Sequence, residues 1–150
     1  HQNLGMMYII QRDNDKAILY LKKSIHLDPY LDAAFNNLGS LYLKQDDISQ
    51  AFAYYEKAIS INPYSVKARN NIAKLYFRTR QYEEGLKHLI KNVEFYPKSV
   101  DAHNNLGIAL LSMGNIELAI TEFNTALRID PASEIAKIYL EKAIKKNEKK

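Results

Sequence analysis

The sequence predicts an all-α fold built from stacked helix pairs, and three observations predict it. The prolines are Pro29, Pro63, Pro97 and Pro131, each 34 residues after the last, and the chain has no others. Four more columns keep that period: Leu4, Leu38, Ile72 and Leu106; Gly5, Gly39, Ala73 and Gly107; Tyr8, Tyr42, Tyr76 and Leu110; Ala17, Ala51, Gly85 and Ala119. Within a unit the apolar residues fall at helical spacing. A fixed period of this length marks supersecondary units that stack on one another.

The first unit, about residues 1–31, opens abruptly on "HQNLG", inside a helix whose first residues are missing, so sequence upstream is expected. Asp13 stands where its second helix needs a cap. The second unit, 32–65, shows the pattern most fully. Phe35, Leu38, Leu41 and Tyr42 line one helix face; "QDD" breaks it; Ile48, Ala51, Phe52, Tyr55, Ala58 and Ile59 line a second. Asp47 caps that second helix, with Asn115 in the same column, and Pro63 ends the unit because proline cannot continue a helix interior. Ser65, Ser99 and Ser133, two residues after a proline, are placed to cap the following helix. Gly39 is expected to face Ala51, letting the two backbones approach while Tyr42 and Tyr55 fill the flanks. The third unit, 66–99, departs most, with Gly85 and Asn92 at otherwise Ala-rich columns, and its second helix is expected to pack most loosely. The fourth, 100–133, regains the pattern. After Pro131 the chain starts another first helix with Ile135, Ile138, Tyr139 and Leu140, but Glu141 replaces the glycine and no second helix follows. A capping helix over 134–147 with a polar outer face is expected. Residues 1–150 thus read as one domain.

Composition narrows the function. Apolar residues are 47% and charged residues 25%, a globular balance. No apolar run is long enough to span a bilayer. The absence of cysteine excludes a disulfide framework, cysteine-type zinc sites and a thiol nucleophile. The net charge is +4, but the last ten residues carry five lysines against two glutamates; the other 140 hold sixteen basic and fifteen acidic residues. The basic tail reads as a solvated helix end, which suits a helix C-terminus. Composition does not fix the compartment; the cytoplasm is the expectation.

On these residues the chain resembles the tetratricopeptide repeat, two antiparallel helices in 34 residues with small residues at positions 8, 20 and 27 and proline at 32. With the four prolines at position 32, position 27 reads Ser24, Ala58, Asn92 and Ala126, and position 24 reads Leu21, Tyr55, Leu89 and Phe123. The aromatic that the family often has at position 4 is kept only as Phe35. The resemblance implies about nine helices in a right-handed α-α superhelix: four repeats and a capping helix. It also implies that a protein or peptide partner lies in a concave groove lined by the first helices at positions 2, 5, 6, 9, 12 and 13.

Position 5 reads Gln2, Asn36, Asn70 and Asn104; position 6 reads Asn3, Asn37, Asn71 and Asn105. Asparagine is a poor helix former, so its recurrence calls for a reason. An amide offers a donor and an acceptor, as does a peptide bond, so the columns can grip an extended chain by its backbone. The position-6 column is similar to the one lining the groove of O-linked N-acetylglucosamine transferases. The competing reading is that the asparagines are tolerated polar residues copied by duplication. The clamp by which some three-repeat chaperone adaptors hold a C-terminal carboxylate is matched only at Asn37 and Lys67 of five positions, so it is not expected. Lys67, Lys74 and Arg78, with Lys44 near, share one face and fit either a mild acidic preference or ordinary solvated charge. Met6, Ile9, Leu43, Phe77, Ile108 and Leu111 fit apolar pockets or contacts between helices.

Nothing points to catalysis, a cofactor or a metal. The four histidines are scattered, and no HExxH or phosphate-binding loop occurs. The near-neutral body and the 34-residue period argue against the pentatricopeptide type of RNA reader. The expectation is an interaction module without chemistry of its own. The alternative is the substrate-recruiting region of a larger enzyme such as a glycosyltransferase. Self-association through an exposed terminal repeat is a third expectation.

Overall fold

The computed structural model describes residues 1–10 and 13–148. Secondary structure among them is helical throughout: α1 (Gln2–Ile10), α2 (Asn14–Leu27), α3 (Asp32–Lys44), α4 (Ile48–Ile61), α5 (Val66–Arg78), α6 (Tyr82–Phe95), α7 (Val100–Ser112), α8 (Ile116–Ile129) and α9 (Glu134–Asn147). The chain forms two compact units, His1–Leu75 and Tyr76 onward, with the division inside α5.

The helix starts follow local chemistry. Asp13 and Asp47 accept from the backbone N–H groups of Lys16 and Gln50, as their column predicts. Asn115 makes no side-chain cap bond, a departure from the expected column. Ser65, Ser99 and Ser133 accept from the N–H groups of Ala68, Ala102 and Ala136. At position 31, Asp28, Asn62 and Asp130 each accept from the N–H two residues on, which shapes the turn around the following proline.

In the first unit, Ala17 and Leu21 of α2 pack with Ala34, Leu38 and Leu41 of α3. Ala58 of α4 then packs with Phe35 and Ala68, so each second helix lies against the first helix of the next repeat. In the second unit α8 packs against both α7 and α9, and the Phe123 ring stacks on Tyr139 at 5.9 Å.

The atoms nearest the small residue at position 8 belong to the large residue at position 24. A Cβ at Gly39 would lie 2.7 Å from the Tyr55 ring, one at Gly5 2.8 Å from the Leu21 side chain, and one at Gly107 2.6 Å from the Phe123 ring. The glycine therefore admits the large residue at position 24. Its cost of roughly 0.5–1 kcal/mol in a helix interior is offset by burying that side chain.

A second pairing recurs between positions 11 and 23. Tyr8 stacks on Tyr20 at 5.3 Å, Tyr42 on Tyr54 at 5.3 Å and Tyr76 on His88 at 5.6 Å. In the fourth repeat both members change, to Leu110 and Glu122. Glu122 instead bonds the buried His103 ring, Oε2 to Nδ1 at 2.6 Å, while His103 Nε2 lies 2.9 Å from the Pro97 carbonyl. His103 is thus a structural tie between helices α7 and α8.

Two surfaces differ from expectation or from their own columns. The exposed side of α9 is not polar throughout, since Ile135 and Ile138 are 49% and 48% exposed. At the other end, Leu4 and Met7 of α1 are 38% and 42% exposed, whereas Leu38, Ile72, Leu106, Leu41, Leu75 and Ala109 in the same columns are buried.

Candidate functional site

Positions 5 and 6 are neighbours on each first helix, and about 100° of helix rotation separates them. In the first unit that rotation divides the asparagines. Asn36 is 8% exposed and its Oδ1 accepts from Asn71 Nδ2 at 2.9 Å, tying α3 to α5. Asn37, half-buried, points its Nδ2 at the Met6 sulfur of α1, 2.9 Å away. Asn70 and Asn71 are half-buried, Gln2 is half-buried and Asn3 is exposed. Ser40, at position 9, donates to the Asn36 carbonyl and meets the Tyr55 hydroxyl at 3.0 Å, so the Asn36 turn is fastened from two sides.

Lys67 and Lys74 are exposed on α5, and neither makes an ion pair among the described residues. Between them, the Arg69 Nε donates to the Pro63 carbonyl at 2.9 Å, fixing the start of α5.

The second unit repeats the division. Asn104 is 3% exposed; its Nδ2 donates to Ser133 Oγ at 3.3 Å, while its Oδ1 is buried without a hydrogen bond. Asn105 is half-buried, with its amide unbonded among the described residues. Ile108 and Leu111 follow on α7, half-buried, and Arg78 is exposed at the end of α5.

The two columns therefore have different chemistry available to them. Asn36 and Asn104 are consumed by the links between repeats. The Oδ1 atoms of Asn37, Asn71 and Asn105 make no bond among the described residues and remain open to a visiting N–H. Sequence periodicity alone did not reach this division. It also overlooked Ile135, Ile138, Lys142 and Lys146 of α9, which carrying the 34-residue register past Pro131 places at positions 2, 5, 9 and 13. The described residues hold no cluster of potential metal ligands, and no helix of theirs is long and apolar enough to cross a membrane.

Models of the tetratricopeptide repeat match residues 1–30, 33–65 and 64–132. No curated protein matched the sequence. Among solved structures, the chain is similar to MamA, with 22% identity over 99% of this chain and 97% of that one and a TM-score of 0.75. It is similar to PilF of Pseudomonas aeruginosa at 21% identity, covering 98% of this chain and 67% of that one, with a TM-score of 0.83. The first repeat domain of Spaghetti (RPAP3), solved bound to the HSP90 peptide SRMEEVD, matches at 22% identity over 76% of this chain and 90% of that one, with a TM-score of 0.67.

Proposed function

Because the chain belongs to the tetratricopeptide repeat family, we propose that it is a protein-interaction module that holds an extended segment of a partner protein against its first helices. The observation that carries this reading is the split between the asparagine columns. At position 5, Asn36 and Asn104 are spent on internal bonds, while at position 6 Asn37, Asn71 and Asn105 keep a carbonyl oxygen unbonded among the described residues. Each such amide adds a net of roughly 0.5–1.5 kcal/mol when it meets a backbone N–H. Asn3 extends the column on α1, and Asn70 lies beside Asn71. Lys67 and Lys74 flank Asn71 and, with Arg78, add a mild preference for acidic side chains. The peptide-bound structure of the similar Spaghetti domain supports a peptide as the partner.

The test uses the best-binding member of a random-sequence peptide array. Asn37→Ala combined with Asn105→Ala lowers its affinity about tenfold with the helical circular dichroism unchanged. Undiminished affinity retires the amide column as the binding element.

A second reading is favoured by Leu4 and Met7, apolar residues exposed where the same columns are buried in every later repeat. They suit self-association through α1. Light scattering at two concentrations reads this directly, and a mass that does not change with concentration, equal to one chain, contradicts it.

A further inference from the structure

α9 was expected to close the array and nothing more. Its sequence continues the register of the first helices but changes the chemistry. Where α3, α5 and α7 carry asparagine pairs, α9 carries Ile138 and Tyr139. Ile135, Ile138, Lys142 and Lys146 are spaced i, i+3, i+7 and i+11, which puts them on one stripe of the helix. Ala136 and Ala143, the buried residues of α9, fall beside that stripe.

Which way the stripe faces is fixed by one contact. Lys146 Nζ reaches the Leu111 carbonyl of α7 at 3.5 Å. Leu111 is at position 12 of α7, on the same helix side as Asn105 and Ile108. The stripe therefore lies beside the open face of α7 within the second unit. Both isoleucines are about half exposed, and both lysines are exposed.

The charges on the stripe are uncompensated. Lys142 lies 4.6 Å from the centroid of the Tyr139 ring and Lys146 rests on the Leu111 carbonyl; neither meets a carboxylate among the described residues. The acids of α9 lie beside the stripe and are paired there, Glu134 with Lys137 and Glu141 with Lys145. On α7 and α9, positions 2, 5, 6, 9, 12 and 13 hold Lys142, Lys145 and Lys146 against one carboxylate, Asp101, and Lys145 is the one of the three that is paired with a carboxylate among the described residues.

We propose that the α7–α9 face of the second unit binds an acidic stretch of the partner segment, in which apolar side chains are followed by carboxylates at alternate residues. The proposal rests on the reading that the first helices hold an extended segment. Four residues of helix separate Lys142 from Lys146, a rise of about 6 Å. Alternate residues of an extended chain lie about 6.6 Å apart on one side, so successive acidic side chains of that kind match the two lysines. Ile135 and Ile138 take the apolar side chains that precede them, and Asn105 takes the backbone.

The probe is a short fluorescein-labelled peptide with two leucines followed by glutamates at alternate positions, compared with its glutamine counterpart by fluorescence anisotropy. At low ionic strength the glutamate peptide binds about threefold to tenfold more tightly, and added salt shrinks the ratio. Lys142→Gln with Lys146→Gln abolishes the ratio and leaves the affinity for the glutamine peptide intact. Both lysines are exposed, so that variant keeps its fold. Equal affinity for the two peptides, or a ratio that survives the double substitution, overturns the acidic site while leaving the amide column standing. Should Asn37→Ala with Asn105→Ala leave both affinities unchanged while the lysine variant loses the ratio, the amide column falls and the acidic site stands. Binding of neither peptide to the unaltered protein overturns the acidic site.

Discussion

An added Cβ at Gly39 would sit 2.7 Å from two atoms of the Tyr55 ring, which is itself buried and bonded to Ser40. The ring cannot move aside without losing that bond or opening the contact between α3 and α4. Gly39→Ala therefore destabilises by about 1–3 kcal/mol through overpacking, less the roughly 0.5–1 kcal/mol that alanine gains in a helix. Urea denaturation reads the difference, and the loss shrinks in a Tyr55→Leu background, where the smaller side chain yields. A midpoint unchanged by Gly39→Ala would show that the glycine has no packing role. The asparagines teach the same lesson about single positions. Asn36 and Asn37 are adjacent and identical, yet one is locked to Asn71 and the other offers its carbonyl outward. Their chemistry was legible in the sequence; their division of labour was not, because it depends on where the next repeat lies.

The turns of α3–α4, α5–α6 and α7–α8 each have a positive φ at position 15: Asp46 at 63°, Arg80 at 61° and Gly114 at 82°. Only the fourth repeat uses glycine there, the residue that tolerates this conformation without strain. No atom lies within 4 Å of a Cβ built on Gly114. Gly114→Ala thus tests backbone strain without a clash, and a loss of about 1–2 kcal/mol is expected in thermal or urea unfolding. Arg80→Gly works in reverse: relief of strain is opposed by the greater freedom of glycine in the unfolded chain, so the net change stays within about 0.5–1 kcal/mol. A cost at Gly114 no larger than at Arg80 would contradict the assignment. The tyrosine column at position 11 is visible in the sequence, but its stacking partner at position 23 lies on the other helix of the pair and shows only in the packing. The joint change to Leu110 and Glu122 in the fourth repeat is the signal that links the two positions. The polar outer face of α9 is the element-level expectation that the structure amends, since the bounds match but Ile135 and Ile138 are about half exposed.

Of the eleven tyrosines in the chain, Tyr54 and Tyr55 have phenols that burial pushes above the ordinary value of 10.0; the Ser40 hydroxyl only partly counters this at Tyr55. A folded state that keeps a phenol protonated holds more protons than the unfolded chain above the unfolded value. These two phenols therefore contribute no pH dependence to stability through neutral pH and lower it as pH rises through about 10. Urea midpoints measured between about pH 8 and 11 read that fall, and Tyr54→Phe with Tyr55→Phe flattens it; an identical decline in the double variant assigns the alkaline loss to other groups. The sequence by itself determined the repeat, because caps, prolines, turn residues and helical spacing act within a few residues of one another and recur every 34. It determined the family and the bounds of α9 for the same reason. Only the tertiary structure decided that the Tyr55 ring lies against Gly39, that Asn104 turns to Ser133 while Asn105 stays open, and that Lys146 lies over α7. Each of those depends on how a helix is rotated against the next repeat, and that rotation is set by packing between residues far apart in the chain.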